Sequence, residues 1–293
     1  MKLHRAVVAW LLAALLPVAP AAAEPITLRD DAGSSVMLAR PAERIVSLLP
    51  SLTETVCELQ ACDRLVGVDR HSDWPAAVKA LPQLGGLEDT QIERLVALKP
   101  DLVLVARSSR ALQRLRALGL PVLALEPQNA ADNERVIATV AAALGRSEAG
   151  AQLQQRLQQR VAAAAARVPA AWRGRALYVE VASTPYAAGE ASFIGETIRA
   201  LGLGNIVPAA LGPFPQLNPE FVLRAQPALL VLPRRVAEEL PRRPGWARLQ
   251  AVAAGRICAL AADPWNALVR PGPRAADAAE ALVDCLLRLA PPA

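Results

Sequence analysis

Two segments of the chain repeat one pattern, in which an amphipathic helix leads through a proline into a buried strand. The segments are 93–105, with the sequence ERLVALKPDLVLV, and 220–232, with the sequence EFVLRAQPALLVL. The apolar run after each proline is continuous instead of alternating, which indicates a parallel strand covered on both faces. The repeat therefore predicts two α/β lobes of one plan, with Glu93 and Glu220 at equivalent positions.

Strands alternate with helices around both copies of this pattern, which is typical of parallel α/β sheets. In the first half we predict a hairpin over 26–38 that turns at Gly33, helices from Leu52 and over 109–118, and strands at 44–48, 64–68, 101–105 and 120–125. In the second half we predict helices over 192–201 and 275–289 and strands at 175–181, 205–207, 229–232 and 255–260. Matching elements are about 130 residues apart, which supports a pseudo-duplication.

Two helical stretches lie between these halves. Asp132 is the predicted cap of the first, which stops at Gly145, and Ser147 is the predicted cap of the second, which runs to Arg167. The second has about twenty residues, or roughly 30 Å of helix. We interpret it as a rigid strut; the alternative is an outer helix of the second lobe. The predicted organisation is a signal peptide at 1–23, an N-terminal α/β lobe at 24–131, an interlobe helical segment at 132–173 and a C-terminal α/β lobe at 174–293.

The first residues have the composition of a cleavable secretory signal. Lys2 and Arg5 form a basic start, residues 6–19 are apolar, and residues 21–23 provide small side chains for cleavage before Glu24. This pattern predicts that the chain is exported. No cysteine lies near the cleavage point, so no lipid anchor is expected there.

Four cysteines follow the signal segment: Cys57, Cys62, Cys258 and Cys285. An even number in an exported chain favours disulfides. Of the three connectivities, we prefer Cys57–Cys62 with Cys258–Cys285, because each bridge then stays within one half. A zinc site is the rival interpretation, but the 57/62 spacing lacks the tight cysteine pair of structural zinc sites, and we predict no metal site.

The sequence favours neither nucleic-acid binding nor catalysis. The basic residues are nearly all arginines scattered among acids, without the clustered stripe and interleaved aromatics of a nucleic-acid surface. No nucleophile elbow, phosphate-binding loop, dinucleotide fingerprint or zinc-protease motif occurs. The adjacent residues His71, Ser72 and Asp73 cannot point at one another in a catalytic relay. We predict no catalytic residues; an exported hydrolase that uses His71 as its base is a remote alternative.

Four aromatic residues stand beside prolines in loops that follow predicted strands: Trp74, Tyr186, Phe214 and Trp265. Such loops form the ligand crevices of α/β folds, and prolines hold them in place before a ligand arrives. Facing rings from two lobes predict a cleft for a large, flat, partly apolar ligand. The alternative, that each ring packs beneath its own loop, is favoured for any single ring but not for all four.

Polar residues accompany these rings. Asp263 and Arg270 flank Trp265 and are candidates to bind amide or carboxylate edges of a ligand; a surface ion pair is the alternative. Arg274 is assigned a structural role. His71 is the only histidine after the signal segment, so it cannot supply the histidine cluster of a zinc or manganese receptor. We prefer a hydrogen-bonded loop histidine to one that faces the metal of a metal-containing ligand.

Several motifs together resemble the helical-backbone (class III) periplasmic binding proteins of ABC importers: RIVSLLPSLTE at 44–54, SDWP at 72–75, GEASFIGE at 189–196, NPE at 218–220, and the ending from Asp263 through Arg270 to Arg274. The resemblance covers nearly the whole chain after the signal segment. Within the family it is nearest to the cobalamin receptors, with iron–siderophore and haem receptors as relatives. It departs from the cobalamin receptors at Gly86–Leu87 and Ala106, where they have tryptophans.

The resemblance implies two Rossmann-like parallel-sheet lobes joined by one long backbone helix, with the ligand bound between them. It implies that the protein captures cobalamin or a related corrinoid in the periplasm and delivers it to the permease dimer of an inner-membrane ABC importer. A receptor for an iron–siderophore or haem is the alternative. Such a receptor is expected to be a monomer that needs no cofactor.

The family pattern also assigns residues. Glu93 and Glu220 occupy the acidic positions that dock on arginines of the permease. The ligand contacts of the family map onto His71, Tyr186, Phe214, Asp263 and Arg270, and we add Trp74 and Trp265 because of their positions in loops.

Overall fold

The computed structural model describes residues 25–182 and 186–289, so the predicted signal segment lies outside the described residues. Up to residue 124 the chain forms strands β1 (Ile26–Arg29), β2 (Ser35–Leu38), β3 (Ile45–Ser47), β4 (Leu65–Val68), β5 (Leu102–Val105) and β6 (Val122–Ala124), with helices α1 (Pro50–Glu58), α2 (Ile92–Ala97) and α3 (Leu112–Ala117). Two helices follow, α4 (Ala130–Ala143) and α5 (Ser147–Ala166).

The remaining chain begins again with a strand. It contains β7 (Ala176–Ala182), β8 (Tyr186–Ala187), β9 (Gly204–Asn205), β10 (Leu229–Pro233) and β11 (Ile257–Leu260), with helices α6 (Phe193–Ala200), α7 (Pro219–Ala225), α8 (Arg234–Glu239), α9 (Gln250–Ala253), α10 (Ala262–Val269) and α11 (Ala275–Arg288). Within the two described ranges, no helix is both long and apolar enough to cross a membrane.

The two main sheets have the same strand order. In the first lobe, built on β3 to β6, the order is β4-β3-β5-β6 and all neighbours are parallel. In the second lobe, built on β7 to β11, the order β9-β7-β10-β11 repeats this plan in parallel, and β8 pairs antiparallel with β7. Residues 102–105 and 229–232 are wholly buried, as their continuous apolar runs predict. The prediction of two parallel α/β lobes is confirmed.

The two repeated segments end their helices in the same way. Lys99, directly before Pro100, has a φ of 49°, and Gln226, directly before Pro227, has a φ of 44°. A left-handed residue is a common helix terminator, and proline cannot continue a helix because it lacks an amide hydrogen. The chain therefore leaves α2 and α7 abruptly and enters the buried strands β5 and β10.

Helix α5 contributes side chains to the cores of both lobes. Leu153, near its start, is buried in the core of the first lobe, and Ala164, near its end, is buried in the core of the second. At Gly150 the helix approaches α4 so closely that an added Cβ would lie 2.6 Å from the Cβ of Ala141. A 20-residue helix packed into both cores restricts how the lobes can move relative to each other.

Three predicted helix starts differ from the structure. Asn129, and not Asp132, caps α4, because its side-chain oxygen accepts the amide hydrogen of Asp132 at 2.8 Å. Ser147 is the first residue of α5 and not its cap. Helix α3 begins after a turn at Ser109, whose hydroxyl accepts the amide hydrogen of Ala111 at 3.3 Å. Such a local side-chain bond competes with the first turn of a helix.

The preferred disulfide pairing is confirmed. Cys57 is bonded to Cys62, which joins the end of α1 to the turn before β4. Cys258 is bonded to Cys285, which joins β11 to α11. Each bridge lies within one lobe, so neither restrains the movement of one lobe against the other.

We expect Lys99→Gly to raise the free energy of unfolding by about 0.5 kcal/mol, because glycine adopts positive φ without the steric cost that other residues meet. Ala97→Gly is the matched control: it is an exposed position within α2, where glycine should lower the free energy of unfolding by about 0.5–1 kcal/mol. Urea unfolding followed by circular dichroism measures both variants. Equal destabilisation by the two substitutions would show that the positive φ of Lys99 carries no cost.

Candidate functional site

A cavity of 220 Å³, here called the interlobe cleft, lies between the two lobes. One wall comes from loops that follow β3, β4, β5 and β6, and the other from the start of α6, the loop before α7 and the segment between α10 and α11. The carboxyl ends of parallel strands meet at one sheet edge, so these first-lobe loops converge there. Most of the lining is apolar; its polar or charged residues are Ser51, Glu126, Gln128 and Arg270.

Two phenylalanines of the second lobe form an aromatic wall of the interlobe cleft. Phe193 and Phe214 meet edge to face, with ring centroids 5.8 Å apart and planes at 60°. Phe193 opens helix α6, whose cap Ser192 accepts the amide hydrogen of Gly195 at 3.0 Å. An added Cβ on Gly195 would lie 2.2 Å from the carbonyl oxygen of Gly189, so the local turn requires glycine there. The motif at 189–196 thus places one of the two rings.

Glu126 is held in place at the first-lobe side of the interlobe cleft. It follows β6, and its partner Ser108 follows the neighbouring strand β5. Oε1 of Glu126 accepts a hydrogen bond from the Ser108 hydroxyl at 2.8 Å, and Oε2 accepts one from the Ser108 amide at 2.9 Å. The amide of Glu126 donates to Oδ2 of Asp31 at 2.8 Å. Both its main chain and its side chain are therefore fixed before any ligand arrives.

Arg270 reaches from the second lobe to the first. Its Nη1 donates to Oε1 of Glu54 at 2.8 Å and to Oδ1 of Asp73 at 2.7 Å. Its Nη2 donates to the carbonyl oxygen of His71 at 3.0 Å. Arg270 is thus paired with first-lobe groups and not with Asp263, its neighbour in sequence. It both lines the interlobe cleft and connects the lobes.

Arg274 completes the junction between the lobes, and its side chain is only 3% exposed. Its Nη2 donates to both carboxylate oxygens of Asp263, at 3.0 and 2.9 Å. Its guanidinium group lies 4.8 Å from the ring centre of Trp74, a cation–π contact across the lobes. Asp263 and Trp74, both predicted ligand contacts, are therefore engaged by Arg274 in this arrangement.

Several buried polar atoms at the junction have no hydrogen-bond partner among the described residues. They include Oε2 of Glu54, Nη1 of Arg274 and Oγ of Ser51. The lobes touch closely beside them, since an added Cβ on Gly272 would lie 3.1 Å from the Cβ of Ser51. An unpaired buried polar group costs free energy that hydration recovers. Separation of the lobes therefore regains part of the energy lost when their ion pairs break.

Burial raises the pKa of Glu54 to about 7, although hydrogen bonding and charge from Arg270 and the charge of Arg274 act in the opposite direction; Asp73 raises it further. The side chain of Glu54 is 1% exposed with the lobes in contact. When the lobes separate, water reaches this carboxyl group and its pKa falls towards its ordinary value. The closed arrangement therefore holds the proton more tightly than an open one and weakens as the pH rises from 4.5 to about 7.

The geometry around His71 does not form a hydrolytic relay. The Ser72 hydroxyl donates to Asp69 and lies 2.8 Å from the Thr53 hydroxyl, and Ser72 is buried while His71 is exposed. Asp69 also accepts the amide hydrogen of His71 at 2.9 Å, and burial raises the pKa of its carboxyl group. These bonds fix the shape of the loop after β4.

Two other predicted contacts lie away from the lining of the interlobe cleft. Tyr186 is 40% exposed and pairs through its main chain with Gln216. Trp265 lines a separate cavity of 380 Å³ near Glu180 at the end of β7. The Glu180 carboxylate is buried and bonded by both Nη atoms of Arg243, at 2.6 and 2.7 Å. This second cavity therefore offers no unsatisfied acid to a ligand.

Of the seven predicted ligand contacts, the structure brings Phe214 and Arg270 together at the interlobe cleft. Sequence reasoning missed Phe193 and Glu126. A signal for each was present: Phe193 follows a helix cap inside a recognised motif, and Glu126 comes directly after a predicted strand, where parallel sheets bind ligands. It also missed Glu54, whose importance depends on a residue of the other lobe.

Glu93 and Glu220 occupy the first turns of α2 and α7. The side chain of Glu93 is 81% exposed and lies 3.3 Å from Arg114, and Glu220 is also exposed. Each helix runs back along the strand that follows it, so its first turn lies towards the carboxyl edge of its sheet. The two acids therefore have equivalent positions on the two lobes and are accessible to a partner.

The sequence profile of the family described as Periplasmic binding protein matches residues 45–264. The chain belongs to this family. The match runs from β3 into α10 and so includes both lobes and helix α5. With two α/β lobes joined by a long helix, this periplasmic binding protein has the fold of class III members.

Relatives and a solved structure agree with this assignment. The uncharacterized ABC transporter substrate-binding lipoprotein YvrC of Bacillus subtilis is 26% identical over 273 residues, 89% of this chain and 85% of that protein. A cobalamin-binding protein of Halobacterium salinarum is 31% identical over 214 residues, 71% of this chain and 58% of that protein. A periplasmic heme-binding protein of Pseudomonas aeruginosa has a TM-score of 0.74 and 25% identity, over 86% of this chain and 95% of that one. The chain is a substrate-binding protein of the ABC-transporter type.

We expect Glu54→Gln to alter how stability depends on pH. The wild-type protein should lose stability as the pH rises from 4.5 to about 7, because buried Glu54 must then ionise; the slope is at most about 1.4 kcal/mol per pH unit. The variant lacks this loss, so its stability relative to the wild type should increase over that range. Thermal unfolding at several pH values measures the difference, with the exposed Glu43→Gln as control. If the difference in stability between Glu54→Gln and the wild-type protein is the same at every pH, Glu54 ionises like a surface glutamate.

Proposed function

We propose that this periplasmic binding protein captures a corrinoid, cobalamin or a close relative, in the interlobe cleft and delivers it to an inner-membrane ABC importer. The observation that carries the proposal is the chemistry of the cleft lining. It contains the ring pair of Phe193 and Phe214 and, among the described residues, no histidine, tyrosine, cysteine or methionine. Haem iron takes its axial ligand from such side chains. Cobalamin brings its own axial ligands, a nucleotide base on one face of the cobalt and a small group on the other, so its receptor needs only to contact the outer surface and the peripheral amides.

The charge of the interlobe cleft supports the same cargo. Arg270 is the only cation among the described lining residues, and Glu54 and Asp73 already pair with it. Haem propionates and catecholate siderophores are anionic and require available guanidinium or ammonium groups. The amides around a corrinoid ring are uncharged, and Glu126 and Gln128 can hydrogen-bond them.

The size of the interlobe cleft indicates that capture begins from a more open arrangement. Its 220 Å³ is below the roughly 300–1,000 Å³ typical of small-molecule pockets. Opening breaks the hydrogen bonds of Arg270 to the first lobe, while both lobes stay packed on helix α5. Closure around the ligand then brings the two phenylalanines against its apolar face.

Delivery requires a surface that the permease recognises. Glu93 and Glu220 are exposed and equivalent on the two lobes, as expected for contacts with basic groups on two subunits of a permease dimer. Exposed charge pairs mainly govern association and orientation, so these acids can act without touching the cargo.

The proposal is tested by titrating the purified exported protein with cyanocobalamin, its base-free precursor dicyanocobinamide, haem and a ferric hydroxamate, followed by calorimetry and visible absorption. We expect a corrinoid to bind most tightly. Phe214→Ala should weaken corrinoid binding by about 1–3 kcal/mol through loss of ring contact. Tyr186→Ala, which removes a ring outside the cleft lining, should weaken it less.

Two results would contradict the proposal. One is haem binding that is tighter than corrinoid binding and is accompanied by the absorption change of axial ligation. The other is corrinoid binding that Phe193→Ala and Phe214→Ala both leave unchanged, which would place the ligand elsewhere.

We expect the double variant Glu93→Ala, Glu220→Ala to bind corrinoid with unchanged affinity but to support transport poorly, because both acids lie outside the cleft lining. Uptake of labelled cobalamin by cells that carry the cognate permease measures transport, and calorimetry measures binding. The double variant Glu43→Ala, Glu148→Ala removes the same charge from exposed positions and serves as control. If the Glu93→Ala, Glu220→Ala variant supports wild-type uptake, or if both double variants lose uptake equally, Glu93 and Glu220 do not dock on the permease.

A further inference from the structure

The Glu126 carboxylate can accept about twice as many hydrogen bonds as the described residues donate to it. Ser108 donates one hydrogen bond to each of its carboxylate oxygens. A carboxylate accepts about four hydrogen bonds, so each oxygen keeps a further acceptor position. Because Glu126 lines the interlobe cleft and its main chain is tied to Asp31, these positions are available to a ligand at a fixed place.

The surroundings of Glu126 favour hydrogen-bond donors over anions. Within residues 25–182 and 186–289, no arginine or lysine forms an ion pair with it. The one cation of the described lining, Arg270, is balanced by Glu54 and Asp73. A ligand carboxylate beside Glu126 would therefore meet a like charge in a cleft with apolar walls, where charge interactions are stronger than in water.

We propose that Glu126 is a specificity-determining residue that accepts hydrogen bonds from a primary amide at the edge of the ligand and rejects the corresponding carboxylate. This inference rests on the proposed corrinoid function. A corrinoid ring carries several primary amides, each of which provides two N–H donors. Hydrolysis of one amide replaces the donors with a negative charge, so the acid loses an attraction and gains a repulsion. A site built this way excludes acid derivatives by repulsion as well as by lost contacts.

The test compares cyanocobalamin with its set of monocarboxylic acids, in each of which one side-chain amide of the ring is hydrolysed. For at least one isomer, the wild-type protein should bind the acid at least tenfold more weakly than the amide. Glu126→Gln keeps the shape and can still accept from Ser108, but it removes the charge. This variant should reduce the ratio of the two dissociation constants, acid over amide, to about three or less. Glu126→Asp keeps the charge but shortens the side chain, so its acid-to-amide ratio should lie between those of the wild-type protein and Glu126→Gln. Glu43→Gln, an exposed change on the same lobe, should leave the ratio unchanged.

Each outcome bears on one of the two proposals. If every acid isomer binds the wild-type protein within about twofold of cobalamin, the inference on Glu126 is overturned while the corrinoid function stands. The same holds if Glu126→Gln folds, as judged by thermal unfolding, yet keeps the full wild-type ratio. If neither cobalamin nor cobinamide binds at all, the corrinoid function itself fails. Should Glu126→Gln not fold, Ser108→Ala releases one tether of the carboxylate and should lower the ratio two- to threefold; an unchanged ratio there also overturns the inference.

Discussion

Parallel strands bring all of their carboxyl ends to one edge of a sheet, and this chain uses that constraint twice. Both sheets have the same strand order, so the loops that follow equivalent strands emerge at equivalent edges. In the first lobe these loops carry Glu126 and its partner Ser108, which are brought together because β5 and β6 are neighbours. The sheets therefore position these groups at the cleft, and the loops need only the residues that fix their final shape.

The two lobes are joined by contacts of opposite character. Helix α5 packs apolar side chains into both cores, and that packing is lost only if a lobe unfolds. The direct junction is polar instead, with Arg270 bonded to Glu54 and Asp73 and with buried atoms that lack partners. Breaking it exposes these charged groups to water, and neither lobe loses its own core when the lobes separate. The raised pKa of Glu54 links this separation to pH.

The fold of this family accommodates more than one cargo, so the cargo is decided by side chains and not by the fold. The solved heme-binding relative shares the architecture, and the Halobacterium cobalamin-binding relative shares the sequence pattern. In this chain the cleft combines a ring pair, one balanced arginine and one fixed carboxylate. That combination suits a flat ligand that brings its own axial metal ligands and a rim of neutral hydrogen-bond donors.

The sequence by itself determined the two-lobe plan, because buried strands such as 102–105 and 229–232 are local apolar patterns whose burial follows from composition. It also favoured, among three possible connectivities, the disulfide pairing that the structure contains, and it predicted Phe214 as a residue of the cleft. Only the tertiary structure decided the partners of the charged groups. Arg270 bonds Glu54 from 216 residues away, and helix α4 takes its cap from Asn129 although Asp132 has an equally suitable side chain. The cap of α4 is settled by bonds within a few residues, since Asp132 accepts the amide hydrogen of Gln128 while Asn129 accepts that of Asp132. The pairing of Arg270 depends on the distance between two folded lobes, which no local pattern encodes, whereas burial of an apolar strand follows from its own composition.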